Sequence, residues 1–472
     1  MLGITIDKSG GLSIKRQIFK SLKDSMINGR LKGGEALPST RSLAQALGVS
    51  RNTVCEAYDM LIAEGYLKSR QGAVTRVKHG IDMGSPKSCE TFGGNDQGLP
   101  AKNEPRGERP GRVWRADFKT GQPDLGAFPK RAFEQSLREG IIGCPASALG
   151  YTGQQGLYEL RAQIASWLFR SRGIIADAGD IFITAGATHA LHLAAELLEP
   201  IKRIQVEDPC HSVMRQMFSD RGYDVIPVPA DEHGMRTELL RDTAAAVYVT
   251  PSHQFPLGGI LPAQRRAELI RFARERDAYI IEDDYDSEFR YTGDPVTPVY
   301  SLDPSRVIYV GTLSKTLFPA LRIGYVILPR AFHKQWRTLR MRMDIQNPPY
   351  EQYALVEFFK TRKLDRHIQR MRRLYGERRQ ALQCSLTEAF GAGWRPWGDS
   401  AGLHLAAEFS GREFNEDFTN RAAQQGIRIA TVEQHCIQKG RHADKLLIGY
   451  GHLGPDIIRN SVALLKEFME QN

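Results

Sequence analysis

A chain of 472 residues is too long for one ordinary core and implies two or three domains. Its composition, 41% hydrophobic and 25% charged, is that of a soluble globular protein; no run of about 18 apolar residues offers a membrane span, and the N-terminal MLGITIDKSGGLSIKRQ lacks the apolar stretch of a signal peptide, so a cytoplasmic location is expected. The net charge of +10 is unevenly placed: residues 1–80 hold 13 Lys/Arg against 6 Asp/Glu, a net +7, leaving +3 for the other 392 residues and pointing to a polyanion partner for the first segment.

In chain order, Leu12–Asn28 carries apolar residues at helical spacing (Ile14, Ile18, Leu22, Met26). Ser39 is placed to cap a second helix that ends at Gly48, and Val49-Ser50-Arg51-Asn52-Thr53-Val54 opens a third, which buries Val54, Tyr58 and Leu61 and stops at Gly65. Residues 66–74 read as a basic β-hairpin whose turn holds Gln71 and Gly72. Two short helices joined by a tight turn, with a hairpin beside them, suit a major groove and its flanking phosphates. The third helix presents Ser50, Arg51, Asn52 and Thr53 to base edges, with Arg51 able to pair with guanine and Asn52 with adenine. Arg41 is placed to reach a phosphate, as are Gln71 and Gly72 on the hairpin. A basic face that is merely solvated is the competing reading. The run LPSTRSLAQALGVSRNTVCEAYDMLIAEGYLKSRQGAVTRV resembles the winged helix-turn-helix of GntR-type bacterial repressors over the whole module, which implies binding to a double-stranded DNA operator.

Residues 79–111 are rich in Gly, Pro and charge without apolar periodicity, a linker composition. The expected division is a DNA-binding domain at 1–78, a flexible linker at 79–115 and a second domain at 116–472. In that second domain short apolar runs (181–184, 203–207, 245–250, 279–283, 307–311) alternate with helical patterns such as His189–Leu198 and Pro262–Arg276, which predicts an α/β sheet with crossover helices. The six cysteines form no CxxC pair, so neither disulfides nor structural zinc are expected.

Lys315 follows one of these strands between Ser314 and Thr316, where a lysine can form a Schiff base with an aldehyde, and Arg322 seven residues later can clamp a phosphate. Taken alone, Lys315 also reads as a surface lysine. The run Tyr279-Ile280-Ile281 leads into Glu282-Asp283-Asp284-Tyr285, placing Asp283 and Tyr285 on one side of a strand end. A buried carboxylate there would keep a pyridine nitrogen protonated, while an acidic loop or a magnesium site is the rival reading. Gly186-Ala187-Thr188 joins a strand to a helix whose N-terminus can hold an anion.

Gly121-Gln122-Pro123-Asp124, Gly150-Tyr151-Thr152, the glycine turn, Asp283/Tyr285, Lys315 and Arg322 occur in an order that resembles fold-type-I enzymes of pyridoxal 5'-phosphate (PLP), the aspartate aminotransferase family, over about residues 117–465. The fusion, together with Thr250-Pro251-Ser252-His253-Gln254-Phe255-Pro256 and EDDYDSEFRY, resembles the MocR/GabR subfamily of GntR regulators. The resemblance implies that Lys315 carries PLP, that Asp283 pairs with the ring nitrogen and Tyr285 with the ring oxygen, and that Gly186, Ala187, Thr188, Thr312, Ser314 and Arg322 surround the phosphate. It also implies that Tyr151 completes the site of a partner subunit in a homodimer.

Two positions depart from the family pattern. His211 stands where a tyrosine often stacks on the cofactor ring, and Leu447 stands where many relatives have an arginine that grips a substrate carboxylate. The expected function is therefore a PLP-dependent transcriptional regulator that senses a small metabolite; the alternative is a working aminotransferase with a tethered DNA module. Amines, amino acids, sulfonates, ectoine derivatives and PLP itself stay open as effectors.

Overall fold

The computed structural model describes residues 4–7, 12–69, 74–80, 113–242, 246–293, 296–398 and 400–471. The chain divides into two units, Met1–Pro110 and Gly111–Asn472. Gln71, Gly72 and most of the segment read as linker lie outside the described residues.

The first unit is built from α1 (Ile14–Ile27), α2 (Thr40–Leu47) and α3 (Arg51–Ala63), followed by β1 (Leu67–Lys68) paired antiparallel with β2 (Arg76–Val77). The return strand lies beyond Val74, a little later than the sequence pattern placed it. Local chemistry sets the helix limits. The Ser39 and Ser50 side chains accept from Ser42 N and Thr53 N, each at 3.1 Å, and so satisfy orphan donors of α2 and α3. Gly48 closes α2 in the left-handed conformation (φ 63°), which costs glycine little. Ile18, Leu22, Met26, Leu43, Val54, Tyr58, Leu61, Leu67 and Val77 share one small core.

The second unit opens with β3 (Ala116–Asp117), α4 (Lys130–Gly143) and α5 (Tyr158–Arg172). Its large sheet is assembled from β4 (Ile181–Thr184), β5 (Arg203–Asp208), β6 (Asp224–Asp231), β7 (Gly234–Met235), β8 (Ala246–Val249), β9 (Ile280–Asp284), β10 (Val307–Thr312) and β11 (Gly324–Ile327), interleaved with α6 (Ala187–Leu197), α7 (Ser212–Asp220) and α8 (Ala263–Glu275). The strand order is β4-β11-β10-β9-β8-β5-β6-β7. Neighbours from β10 to β6 run parallel, and β11 is antiparallel to both β10 and β4. Alternate residues feed two cores: Val247, Ile280, Val307 and Tyr309 enter one, and Tyr248, Ile281, Ile308 and Val310 the other. Burial on both faces explains why these strands read as continuous apolar runs.

The chain continues through α9 (His333–Met343), α10 (Pro349–Lys360) and α11 (Lys363–Phe390) to a smaller antiparallel sheet. That sheet joins β12 (Trp394–Trp397) and β13 (His404–Phe409) to β15 (Ala430–Thr431) and β16 (Lys445–Gly449) in the order β12-β13-β16-β15. The short β14 (Ile427–Arg428) pairs with β3 instead, while α12 (Glu416–Gln424) and α13 (Pro455–Glu470) complete the layer. No helix among the described residues is long and apolar enough to cross a membrane.

Candidate cofactor cleft and nucleic-acid interface

A cleft of about 260 Å³ opens where β5, β8, β9 and β10 end. In open α/β sheets the carboxyl ends of the strands are where ligands bind. It brings together Ala187, Thr188, His211, Asp283, Tyr285, Thr312, Ser314, Lys315 and Arg322, residues separated widely in sequence. Gly186 sits at their edge: its φ is +92°, and a Cβ there would meet the Arg322 guanidinium at 2.9 Å. No side chain caps α6, so its first N–H groups stay open to an anion, and the Arg322 guanidinium lies against the same turn. Arg322 itself holds a left-handed backbone (φ 50°), fixed by a 2.5 Å bond from its guanidinium to Ala185 O.

Three successive acids at the end of β9 do different jobs. Glu282 accepts from Val299 N and Tyr300 N at 3.0 and 2.7 Å, and Asp284 pairs with buried Arg172 at 2.6 Å. Both are thus structural. Asp283, on the opposite face of the pleat, turns into the cleft. Its Oδ2 accepts from Tyr248 at 2.8 Å, whereas its buried Oδ1 has no partner. Burial pushes the Asp283 carboxyl up to about 6, against the pull of the Tyr248 bond.

Lys315 Nζ donates to Gly121 O at 2.6 Å. Burial lowers its pKa, and Asp286 and Asp283 only partly oppose this, so its amine is easier to deprotonate than a surface lysine's. The Thr312 hydroxyl donates to Ser314 Oγ at 3.0 Å and accepts from Ser314 N, which shapes the turn leading to Lys315. His211 packs 5.1 Å from Phe255, and burial, with Lys315 nearby, lowers its pKa.

Tyr151 lies outside this cleft and is 85% exposed. Gln346 pins its loop from both sides, accepting from Thr152 N at 2.7 Å and donating to Gly150 O at 3.0 Å. Leu447 stands opposite Ala406 and Ala430 and packs into an apolar cluster with Phe255, Leu257, Val432 and Cys436. The sequence reading missed Gly121, Tyr248, Thr250, Phe255 and His404 as cleft residues. The Thr250–Pro256 string marked two of them as characteristic without giving them a role. His253, Asp286 and His404 also bring one ligand-type atom each within 4.8 Å of one another.

In the first unit, Arg41, Arg51 and Asn52 are exposed at the starts of α2 and α3, and no bond to another described residue holds their side chains. Ser50 and Thr53 are engaged instead, Oγ to Oγ1 at 2.8 Å, at the cap of α3.

The gntR family of bacterial regulatory proteins matches residues 14–77, and the family described as aminotransferase class I and II matches residues 117–439. The chain is 34% identical to the uncharacterized HTH-type transcriptional regulator YhdI of Bacillus subtilis, over 98% of this chain and 97% of that protein. It is 32% identical to the HTH-type pyridoxine biosynthesis transcriptional regulator PdxR of Corynebacterium glutamicum, covering 97% and 96%. It is 31% identical to the probable rhizopine catabolism regulatory protein MocR of Rhizobium meliloti, covering 98% and 95%. Among solved structures, the kynurenine aminotransferase of Pyrococcus horikoshii, in complex with PMP, superposes with a TM-score of 0.70 at 25% identity, over 77% of this chain and 92% of that one. Relatives that match nearly end to end carry the names of transcriptional regulators, which favours regulation over an aminotransferase with a tethered DNA module. The chain belongs to the gntR family of transcriptional regulators, in the MocR and PdxR type that carries a C-terminal aminotransferase class I and II domain.

Proposed function

We propose that this regulator holds PLP in the cleft, linked at Lys315 Nζ, and controls transcription by sensing a small metabolite there. The observation that carries the reading is the bare, buried Oδ1 of Asp283, an acceptor that burial leaves costly unless a further N–H reaches it. A protonated pyridine nitrogen is such a donor. Arg322, Gly186, Ala187, Thr188 and Ser314 would hold the phosphate, Thr312 would shape the turn beside it, Tyr285 would meet the ring oxygen, and His211 would cover the ring face. When bound, the cofactor supplies a carbonyl that captures primary amines and a ring that withdraws electrons from them.

The chain's own residues then set selectivity. Leu447 offers no charge where an amino acid would present its carboxylate, so the effector is an amine whose recognition does not depend on that group. Tyr151, held outward, completes the cleft of a second copy in a homodimer. Exposed Ile141, Ile142, Leu149, Ile345 and Tyr350 support this, because α4 and α10 pack together and Gln346 ties the Tyr151 loop to the segment before α10. Two DNA modules on such a dimer would read paired half-sites, with Arg51 and Asn52 on bases, Ser50 and Thr53 at the cap that aims them, and Arg41, Gln71 and Gly72 on phosphates.

Reduction with borohydride followed by peptide mapping tests the reading. A stable adduct should map to Lys315 and vanish in Lys315→Ala while the fold persists. An adduct on another lysine, or none in the wild type, overturns it.

A further inference from the structure

Behind Tyr285, His253 and Asp286 form a chain of contacts with its hydroxyl, and the reading above gives these two residues no role. His253 Nδ1 lies 3.0 Å from each carboxylate oxygen of Asp286 and 3.0 Å from the Tyr285 hydroxyl. An ionised carboxylate only accepts, so the proton in the His253–Asp286 contact sits on Nδ1. A protonated Nδ1 cannot accept from the phenol; it offers its N–H to the Tyr285 oxygen as well. The Tyr285 proton must then point elsewhere, and the open side of Tyr285 is the cleft.

The surroundings hold this arrangement. His253 and Asp286 are each 2% exposed. Gly402 (φ +80°) lies against them so closely that a Cβ would come within 2.4 Å of Nδ1 and 2.5 Å of Asp286 Oδ2, so no larger residue fits beneath the pair. The His404 ring covers His253 at 5.0 Å, with the planes inclined at 47°.

We propose that His253 and Asp286 are positioning residues that aim the Tyr285 hydroxyl proton into the cleft and strengthen its donation to the ring oxygen of PLP. A donor that itself receives a hydrogen bond donates more strongly, and the effect is largest away from water. The inference rests on the PLP reading and adds a polarity to it: the phenol serves the ligand as a donor, because the histidine behind it has its proton fixed by a carboxylate.

The test is a double-mutant cycle on the full-length protein loaded with PLP, read at fixed pH by the visible absorption of the bound cofactor and by PLP affinity. Tyr285→Phe should weaken PLP about tenfold, the loss of one hydrogen bond to a charged acceptor, and shift the absorption. His253→Phe should move both readouts in the same direction by a smaller amount, about threefold in affinity, and should change nothing further in the Tyr285→Phe background. Asp286→Asn, whose amide can donate to Nδ1 and so reverse the bond, should match His253→Phe and carries the test if that variant does not fold. Equal effects of His253→Phe in both backgrounds, or a folded variant with the wild-type spectrum, overturn the proposal. Stoichiometric zinc in the wild type that disappears in Asp286→Asn also overturns it, by making the trio a metal centre. A wild type that binds no PLP sinks this inference and the proposed function together, whereas normal PLP binding with no coupling sinks this inference alone.

Discussion

Tyr248 donates its hydroxyl to Asp283 Oδ2 at 2.8 Å and leaves Oδ1 bare. The two side chains come from neighbouring parallel strands, β8 and β9, in which Tyr248 stands beside Ile281. Burial pushes the Asp283 carboxyl up from 3.8 to about 6 and the Tyr248 phenol well above 10. The bond therefore works against desolvation, keeping Asp283 closer to the ionised form that a pyridinium N–H needs.

Removing that bond should make the carboxyl harder to ionise. One hydrogen bond to a charged group is worth about 1.5–3 kcal/mol, so Tyr248→Phe should move the Asp283 titration up by roughly one to two pH units. The sign follows from linkage. A folded value above the unfolded one means that the cofactor-free protein loses stability as pH rises from about 4 to about 6. The variant extends that loss to higher pH. Glu207 and Glu282, each raised to about 7 by burial, titrate in the same range, so the comparison is between variant and wild type. Melting temperatures of the cofactor-free proteins, measured from weakly acidic to weakly alkaline pH, check it; parallel curves would remove Tyr248 from the tuning of Asp283.

The DNA module separates two kinds of contact. Arg51 is exposed at the first turn of α3, where a bidentate contact to guanine is worth about 1–3 kcal/mol. Arg51→Ala should reduce the ratio of specific to nonspecific affinity by about tenfold or more. Arg41→Ala should weaken binding to all sequences alike and flatten the salt dependence by about one unit of slope. Binding titrations at several salt concentrations distinguish the two, and an unchanged specificity ratio for Arg51→Ala would put another residue on the bases.

What could be read from the sequence was what neighbours in sequence decide. Ser39, Ser50 and Gly48 act within three or four residues of themselves, so the limits of α2 and α3 were legible. Lys315, Asp283 and Gly186 lie at strand ends, and a strand-to-loop transition announces a position facing a ligand. Tyr248 was illegible because AVYV reads as core, and only its lateral register beside β9 takes its hydroxyl to Asp283. His404 lies on β13 of the other sheet, so only tertiary folding carries it to the cleft. The antiparallel insertion of β11 between β4 and β10 was equally hidden, since apolar alternation carries no strand direction.

Histidines around Phe255 predict an acid-sensitive fold. Burial lowers His435 to about 3, helped by His211 and Arg215, and drives His404 well below 6.5. A depressed folded value means the unfolded chain binds protons first. Each histidine therefore contributes stability that is complete above about 6.5 and is lost as pH falls. For His435 the loss between pH 6.5 and 5 is about 2 kcal/mol. His435→Phe keeps a ring against Phe255, 5.0 Å away, and removes the titration. Denaturant unfolding at pH 5 and 7 should show a smaller acid penalty in the variant. An identical penalty would assign the acid sensitivity to other groups.

Leu447 is fully buried and does not itself line the cleft, so the proposed reading gives it weight only as the residue standing where the family resemblance expects an arginine. It packs with Phe255, Leu257, Val432 and Cys436, and the nearby imidazoles of His211, His404 and His435 are held neutral by burial. Among the described residues, Arg215 is a cation near this cluster, with a buried Nη1 that has no partner; His435 and Cys210 feel its charge, but it does not line the cleft. The proposed reading therefore expects a primary amine and its α-carboxylated counterpart to perturb the bound cofactor's spectrum at similar concentrations. Leu447→Arg should tilt the ratio toward the carboxylated ligand by about tenfold, since a charge-assisted bond is worth about 1.5–3 kcal/mol. The same substitution places a charge among apolar side chains and should lower the melting temperature of the ligand-free protein. Both readouts matter, because the stability loss alone would follow from any buried arginine. A wild type that already prefers the carboxylated ligand by more than about tenfold, a difference of roughly 1.4 kcal/mol, would mean that another cation, such as Arg215, reaches the carboxylate in place of the missing arginine.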